Sequence, residues 1–451
     1  MQKAVYTITP DDLALFTDLY ELTMLQSYFD AGLTGEAVFS LFLRRLPEKR
    51  NYVLACGLTD VLDYLESVRF SDEAIAYIRS LGGFTEQFLT WLGQFRFDGD
   101  VYAVPEGTPV FADEPILEIV APIAQAQLVE TFVMNQIHVQ SLHASKAARV
   151  VHAAEGRAII DFGGRRSHGL DAALKAARAF HIAGVTATSN VLAGYRYGLP
   201  VAGTMAHSYV EAFDSEREAF WTFARSHPDT ILLVDTYDTL AGVDNVITLA
   251  EELGPDFRVR AVRLDSGDLG ELAKEARRRL DAAGLEDVGI IGSGGLDEYE
   301  IAKLVADEAP FTGFGVGTAM AVSEDAPSLD LVYKLCAYGG VGRVKLSPGK
   351  PIYPGRKQVF RREADGTAKS DVIARLDEEL EGRPLLEPVM RHGARFPGVT
   401  KELNAIREHA RTEIDRLPAR LRNLSPANPP YEVEISGELA DYTEIVRSRH
   451  R

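Results

Sequence analysis

Cysteine is scarce in this sequence, and so are long apolar runs. The 451 residues include only Cys56 and Cys336, too few for a disulfide framework or a four-thiolate zinc site. No run of about 18 uninterrupted apolar residues occurs, which excludes a membrane-spanning helix. The first residues, MQKAVYTITPDDLALF, contain no apolar or Arg-rich targeting segment. We therefore expect a cytoplasmic protein with two buried thiols.

Positive charge is also in deficit. Lys and Arg together number 48 and Asp and Glu 66, so the net charge is −18. A surface this acidic repels nucleic acids and anionic membranes at long range, and we expect neither as a partner. An anionic substrate would need a local basic pocket within this acidic surface.

The apolar patterns before and after the middle of the chain differ from those within it. Before the middle of the chain, the patterns predict helices over residues 11–31, 57–67, 71–81, 84–94 and 123–153, and strands over 36–45 and within 98–121. After it, they predict a loop over 345–357, a hairpin over 357–376 and a final helix over 399–420. We expect residues 1–125 and 340–451 to form together a mostly β, α+β domain.

In the middle of the chain, short apolar runs alternate with helical stretches. The runs are 158–162, 184–187, 200–204, 230–234, 259–264, 288–292 and 312–316. This alternation predicts βα units around a buried parallel sheet. Because a complete barrel needs eight such units, the pattern predicts an irregular or incomplete α/β barrel over residues 126–339.

Charged and imidazole side chains follow these runs, where barrel enzymes place their active sites. They are Arg165, Arg166, His207, Asp235, Arg263, Asp265 and Asp268. An Asp after a strand is often only a helix cap. Their combination, however, suits a phosphorylated sugar, because Arg binds phosphate bidentately and carboxylates bind a ribose diol or Mg²⁺ through waters.

Glycines follow the last two runs, each before a predicted helix. They are Gly294, Gly295, Gly315 and Gly317. Their backbone N–H groups and the helix N termini predict an anion site, although close strand–helix packing would also require glycine. The spacing is not a dinucleotide-binding fingerprint, because it comes late in the chain and lacks the third glycine.

At these residues the sequence resembles the nicotinate phosphoribosyltransferase family. The matching motifs keep their order along nearly the whole chain: 17–20 (TDLY), 101–109 (VYAVPEGTP), 162–165, 203–208 (GTMAHS), 262–269 (VRLDSGDL), 314–318 (FGVGT), 345–349 (KLSPG) and 354–358 (PGRKQ). The resemblance implies the type II phosphoribosyltransferase fold. It also implies that nicotinate and 5-phosphoribosyl 1-diphosphate react to nicotinate mononucleotide and diphosphate, coupled to ATP hydrolysis as in a ligase, with Mg²⁺, in a homodimer with shared active sites.

The resemblance also implies roles for individual residues. His207 would be phosphorylated by ATP, and Phe162 and the partner subunit's Tyr20 would sandwich the substrate ring. The other implied contacts are with phosphate or diphosphate (Arg165, Arg263, Gly294, Gly295, Gly315 and Gly317), with ribose and metal (Asp235 and Asp265) and across the dimer (Lys345 and Arg45). The predicted catalytic residues among them are His207, Arg263 and Asp265.

Two positions depart from the family pattern. Gly164 stands where the family commonly has Thr, and Gly295 where it often has Asp, so both lack a side chain at the predicted phosphate site. Some relatives also carry a zinc-binding cysteine cluster near the C terminus, which a chain with two cysteines cannot form.

The closest alternative is nicotinamide phosphoribosyltransferase, in which an Asp accepts a hydrogen bond from the amide. Asn190 occupies the matching position here, and with Ser189 it favours the acid, because a carboxylate would repel nicotinate. Other type II phosphoribosyltransferases remain alternatives; the quinolinate enzyme is much shorter and uses no ATP. A barrel aldolase or isomerase would need a Lys at a strand end, which residues 158–318 lack. A purely binding role would leave the Arg, Asp and His side chains unexplained.

Overall fold

The chain folds into two compact units in a computed structural model, which describes residues 8–346 and 352–449. One, here the terminal unit, comprises Met1–Leu142 and Ser328–Arg451; the other, the central unit, comprises His143–Pro327. The predicted domain limits were 125/126 and 339/340. The limits in the structure differ from the predicted ones for two reasons. The first boundary between the units falls after Leu142, within the continuous helix Glu130–Ala153. The strand Leu331–Tyr338 pairs within the terminal unit, which moves the second boundary to an earlier residue.

An antiparallel sheet forms the centre of the terminal unit. Its strands, in spatial order, are Val341–Gly342, Leu331–Tyr338, Glu36–Leu43, Pro115–Pro122, Asp100–Ala103, Glu387–Arg391 and Ala394–Arg395. Strand Glu36–Leu43 pairs with Leu331–Tyr338 on one side and Pro115–Pro122 on the other. Sequence-distant segments therefore share one sheet and one apolar core, as the prediction of a discontinuous domain requires.

The described residues of the terminal unit also form two smaller sheets. The four-stranded sheet has the spatial order Arg383–Pro384, Lys357–Ala364, Thr367–Arg375 and Glu432–Ile435. The two-stranded sheet pairs Val53–Leu54 with Pro109–Val110. The predicted hairpin is confirmed: Lys357–Ala364 pairs antiparallel with Thr367–Arg375. Its turn residues Asp365 and Gly366 have φ of 51° and 72°, the left-handed conformation that tight two-residue hairpins require.

Three helix predictions outside the central part of the chain are wrong in detail. The helices that the structure has there are Pro10–Leu15 (3-10), Leu19–Asp30, Leu58–Ser67, Asp72–Leu81, Glu86–Gly93, Ile123–Leu128, Glu130–Ala153, Leu403–Asp415, Ala419–Arg422 and Gly437–Ser448. Residues 11–31 form two helices because Asp18 is an extended N-cap. Residues 123–153 also divide, at Val129. Helix 399–420 is not the last, since Ser436 caps a further one through the Leu439 N–H.

A parallel sheet forms the centre of the central unit, all of whose residues the structure describes. Its spatial order is Ala187–Thr188, Ala158–Asp161, Gly313–Val316, Gly289–Gly292, Ala261–Leu264 and Ile231–Leu233. The run 200–204, predicted as a strand, contributes only a single parallel bridge between Val201 and Thr188. The sheet does not close within this unit, which agrees with the predicted incomplete α/β barrel.

Helices connect these strands. The helices of the central unit after Glu130–Ala153 are Leu170–Ile182, Val191–Tyr197, His207–Glu211, Glu216–Ser226, Thr239–Leu253, Leu269–Ala282, Glu298–Ala306 and Thr318–Ala321, with 3-10 turns at Gly164–Arg166 and Gly254–Asp256. Because the strands are parallel, their carboxyl ends lie along one edge of the sheet. That edge therefore brings together residues separated by more than a hundred positions in the sequence.

No described helix combines the length and the apolar character that crossing a membrane requires.

Candidate active site

The acidic residues at the strand ends divide into helix caps and a second group. Asp238 and Asp268 are caps, since their side chains accept the N–H groups of Ala241 and Glu271 at 2.8 and 3.2 Å. This is a structural role that the sequence could not separate from metal or ribose binding. The Asp268 side chain therefore serves as the N-cap of the helix Leu269–Ala282.

Asp235 and Asp265 form the second group, and they follow the carboxyl ends of neighbouring strands. Asp235 Oδ2 accepts the Asp265 N–H at 3.1 Å and the Ser266 hydroxyl at 2.5 Å. Its Oδ1 is buried and has no hydrogen-bond partner among the described residues. Asp265 Oδ1 accepts the Ser293 hydroxyl at 2.5 Å. The two serines, to which the sequence assigned no role, thus orient carboxylates that have unused acceptor capacity.

An aromatic ring and an arginine meet at the same edge. A Cβ atom at Gly315 would lie 2.3 Å from Cε2 of Phe162, so the ring can lie against this strand only because residue 315 is glycine. The Arg263 guanidinium carbon is 5.6 Å from the centre of the Phe162 ring, within cation–π range. Burial lowers the pKa of Arg263, while the charges of Asp265 and Asp235 act in the opposite direction.

Arg263 also contacts the segment that carries His207. Its Nη2 donates to the Met205 carbonyl at 3.2 Å, while its Nε is buried with no partner among the described residues. His207 begins the helix His207–Glu211 and is half-buried. Its Nδ1 lies 3.2 Å from the Thr236 hydroxyl, which leaves Nε2 as the ring nitrogen available to a ligand.

Arg165 is exposed in the 3-10 turn Gly164–Arg166. Its positive charge contributes to the lowered pKa of Arg263, because the two like charges repel each other. Two such groups favour a ligand that carries several negative charges.

Asn190 caps a helix and also presents a donor. Its Oδ1 accepts the Ala193 N–H at 3.2 Å, at the start of Val191–Tyr197. Only the oxygen of a carboxamide can accept this bond, so the Nδ2 amino group is left for other partners. A Cβ atom at Gly164 would lie 3.8 Å from Nδ2. The neighbouring Ser189 is exposed.

The predicted phosphate glycines occupy different environments. A Cβ atom at Gly294 would lie 1.8 Å from the Asp265 carbonyl oxygen, whereas one at Gly295 would meet open space. In the next helix, Glu298–Ala306, the N–H groups of Tyr299 and Glu300 are occupied, because the Asp297 side chain accepts both. These two groups are therefore not available to a phosphate.

Three predicted site residues belong to the terminal unit. Tyr20 lies in the helix Leu19–Asp30 and is 50% exposed. Arg45 is exposed, with Nε 3.0 Å from Asp330 Oδ2. Lys345 is exposed, and residues 347–351 of the loop predicted over 345–357 lie outside the described residues. The sequence-based roles of these three residues across a dimer stay predictions.

The comparisons with known proteins agree with this geometry. Residues 15–138 match the nicotinate phosphoribosyltransferase (NAPRTase) N-terminal domain, and residues 158–353 match the nicotinate phosphoribosyltransferase (NAPRTase) family. This chain belongs to that family. A nicotinate phosphoribosyltransferase of Mycobacterium tuberculosis is 55% identical over 437 residues, which cover 97% of this chain and 94% of that protein.

More distant members of the family also match this chain over most of its length. The Bacillus subtilis nicotinate phosphoribosyltransferase is 41% identical, over 84% of this chain and 80% of its own length. The crystal structure of the human nicotinic acid phosphoribosyltransferase matches with a TM-score of 0.85 and 29% identity, over 96% of this chain and all of that one. The predicted family and fold class are therefore both confirmed.

Proposed function

We propose that this chain transfers the phosphoribosyl group of 5-phosphoribosyl 1-diphosphate to nicotinate, an entry step of NAD salvage. The observation that carries the proposal is the meeting of Phe162, Arg263, Asp235 and Asp265 at one sheet edge. An aromatic ring, a phosphate-binding cation and paired carboxylates are the groups that a pyridine, a diphosphate and a ribose require. The 55% identical M. tuberculosis relative bears the name of this activity.

In this reaction the nitrogen of nicotinate attacks the anomeric carbon and diphosphate departs. The ring nitrogen is already nucleophilic, so the protein contributes mainly orientation, which stacking on Phe162 supplies. Arg263 and Arg165 stabilise the negative charge that develops on the departing diphosphate. Asp235 and Asp265 accept hydrogen bonds from the ribose hydroxyls, and Asp235 Oδ1 is an acceptor without a partner among the described residues.

The same two carboxylates fit Mg²⁺. The buried Asp235 Oδ1 is a hard oxygen donor without a protein partner, the kind of ligand Mg²⁺ prefers. The described residues include no cluster of three or more His, Cys, Asp or Glu side chains arranged for a metal. Asp235 and Asp265 would thus share the ion with waters and substrate phosphates, where its charge would offset that of the diphosphate.

Nicotinate is preferred over nicotinamide. The Asn190 cap directs the carboxamide oxygen to Ala193 and leaves a donor, which suits a carboxylate acceptor. The positive charges of Arg165 and Arg263 also favour an anion. Nicotinamide phosphoribosyl transfer would need an acceptor at this position instead.

ATP hydrolysis is coupled through His207. With Nδ1–H donating to Thr236, the Nε2 lone pair attacks the γ-phosphorus of ATP, the bond to the bridging oxygen breaks, and ADP leaves. Water later hydrolyses the N–P bond and releases phosphate. The phosphoryl group strengthens binding of the sugar diphosphate and drives the reaction toward nicotinate mononucleotide.

Labelling with γ-labelled ATP tests this step. Wild-type protein should retain acid-labile, base-stable label, and His207→Ala should retain none while keeping slow, ATP-independent transfer. Equal acid-labile labelling of the variant would exclude His207 and direct attention to His168, whereas an acid-stable label would direct it to Ser208. His227→Ala, at an exposed histidine after helix Glu216–Ser226, is the matched control and should label normally.

The active form is a homodimer with shared sites. Large apolar side chains are exposed beside predicted ligand residues in each unit: Leu19 next to Tyr20, and Val191, Leu192 and Tyr195 after Asn190. Surfaces of this kind mark protein contacts. A cytoplasmic location also stays a prediction.

A further inference from the structure

Asp161 is a buried carboxylate to which the reaction above assigns no role. It ends the strand Ala158–Asp161, which lies between Ala187–Thr188 and Gly313–Val316. Its exposed fraction is 2%. A carboxylate so thoroughly removed from water must be held by specific donors, because burial without them would strongly destabilise the fold.

The donors come from two loops that follow neighbouring strands. Oδ1 accepts the Gly163 N–H at 2.8 Å, immediately after Phe162. Oδ2 accepts the Thr188 hydroxyl at 2.7 Å, at the end of the adjacent strand. One side chain therefore connects the loop that carries the stacking ring with the loop that carries Ser189 and Asn190.

The connection continues beyond Thr188. Its hydroxyl oxygen accepts the Asn190 N–H at 3.1 Å while its hydrogen is donated to Asp161. The Asp161 carbonyl accepts the Ser189 N–H at 2.8 Å. The direction of every bond in this chain is thus fixed, because a carboxylate can only accept and a backbone N–H can only donate.

Two opposing effects act on the charge of Asp161. Burial raises the pKa of this carboxyl group, whereas the bonds from Thr188 and Gly163 and the nearby His143 lower it. Burial is the larger effect, so the pKa of Asp161 is raised overall, and its acceptor role rests on the geometry of its bonds from Gly163 and Thr188.

We propose that Asp161, acting through Thr188, is a positioning residue that fixes the distance between the Phe162 ring and the Ser189–Asn190 pair. The bond from the Thr188 hydroxyl to the Asp161 carboxylate adds a side-chain connection to the backbone bond between Ser189 and Asp161. This inference rests on the proposed function, since it assigns the pyridine ring to Phe162 and the carboxylate to Asn190. It predicts that the network governs nicotinate binding and leaves sugar-diphosphate binding largely unaffected.

The test compares Thr188→Val, which removes the hydroxyl at nearly constant volume, with Thr188→Ser, which retains it. Thr188→Val should raise the KM for nicotinate about tenfold, the effect of one buried hydrogen bond, with less than a twofold change for 5-phosphoribosyl 1-diphosphate. Thr188→Ser should restore a near-normal KM. Thr230→Val, a buried threonine before strand Ile231–Leu233, is the control and should change neither KM.

Asp161→Asn should raise the KM for nicotinate in the same way. If it does not fold, the threonine series carries the test alone. Equal increases in both KM values, or an unchanged nicotinate KM in Thr188→Val, would overturn the positioning role. Wild-type protein that forms no nicotinate mononucleotide would instead overturn the proposed function, so the two failures are distinguishable.

Discussion

At the scale of single residues, the sequence identified which side chains gather at the sheet edge but not how each is used. Asp235 and Asp238 both follow one strand, yet only the latter caps a helix. Capping depends on backbone angles that sequence spacing does not specify. Likewise Ser266 lies within the motif 262–269 and Ser293 directly follows the apolar run 288–292, but their bonds to Asp235 and Asp265 are visible only in the structure.

The adjacent residues Gly294 and Gly295 allow two alanine variants to be compared. Gly294 and Gly295 have φ of 87° and 68°, so alanine costs roughly 1 kcal/mol of backbone strain at either. Only at Gly294 would the new Cβ collide with the Asp265 carbonyl. Gly294→Ala should therefore displace Asp265 and reduce kcat/KM for 5-phosphoribosyl 1-diphosphate by tenfold or more.

Gly295→Ala is the control for the strain itself, and it should lose several-fold less activity. Steady-state kinetics with saturating nicotinate would measure both. Equal losses in the two variants would show that the approach of Gly294 to Asp265 has no catalytic consequence.

At the scale of elements, apolar periodicity located most helices and strands within a few residues. It failed where a local contact interrupts the pattern. Residues 11–31 keep helical spacing, but Asp18 adopts an extended conformation and starts a new helix at Leu19. The run 200–204 was apolar enough for a strand but pairs only at Val201, because pairing depends on neighbours distant in sequence.

The helix Leu19–Asp30 contains a buried acid, Glu21, that should make the stability of the protein depend on pH. Glu21 has no exposed surface, and burial together with the charge of Glu130 raises its pKa from 4.5 to about 7. Between these values the folded protein binds more protons than the unfolded chain. The free energy of unfolding should consequently fall as pH rises from about 4.5 to 7, by on the order of 2 kcal/mol.

Glu21→Gln removes this titration. The thermal midpoint of the variant should exceed that of wild type at pH 8 and approach it at pH 5, as followed by scanning calorimetry. Glu36→Gln, at an exposed strand end, should leave the pH dependence unchanged. A wild-type protein that gains stability over this pH range relative to Glu21→Gln would contradict the assignment.

At the scale of the whole molecule, the alternation of apolar runs predicted a central barrel-like unit, and the different apolar patterns before and after it predicted a discontinuous second unit. Composition could not give the exact division, because strand Leu331–Tyr338 follows the last βα unit directly yet pairs with Glu36–Leu43. Subunit association also cannot be read from one chain. It is expected here from the family resemblance and from exposed apolar side chains near Tyr20 and Asn190.

Mixed dimers test the shared site. Tyr20→Ala and His207→Ala should each be nearly inactive alone, since one removes the ring contributed to the partner and the other removes the phosphate acceptor. After subunit exchange, hybrid dimers contain one intact site, so ATP-coupled activity should recover to roughly a quarter of wild type. No recovery, with exchange demonstrated by differently tagged subunits, would mean that each chain supplies its own complete site.

The proposed function requires that this sheet edge transfers a phosphoribosyl group to nicotinate and selects nicotinate by its negative charge. The most direct measurement is kcat/KM for nicotinate and for nicotinamide under the same conditions, with 5-phosphoribosyl 1-diphosphate, Mg²⁺ and ATP. The donor at Asn190 and the charges of Arg165 and Arg263 predict a preference for nicotinate of at least a hundredfold. Comparable values for the two substrates, or a preference for the amide, would contradict the claim.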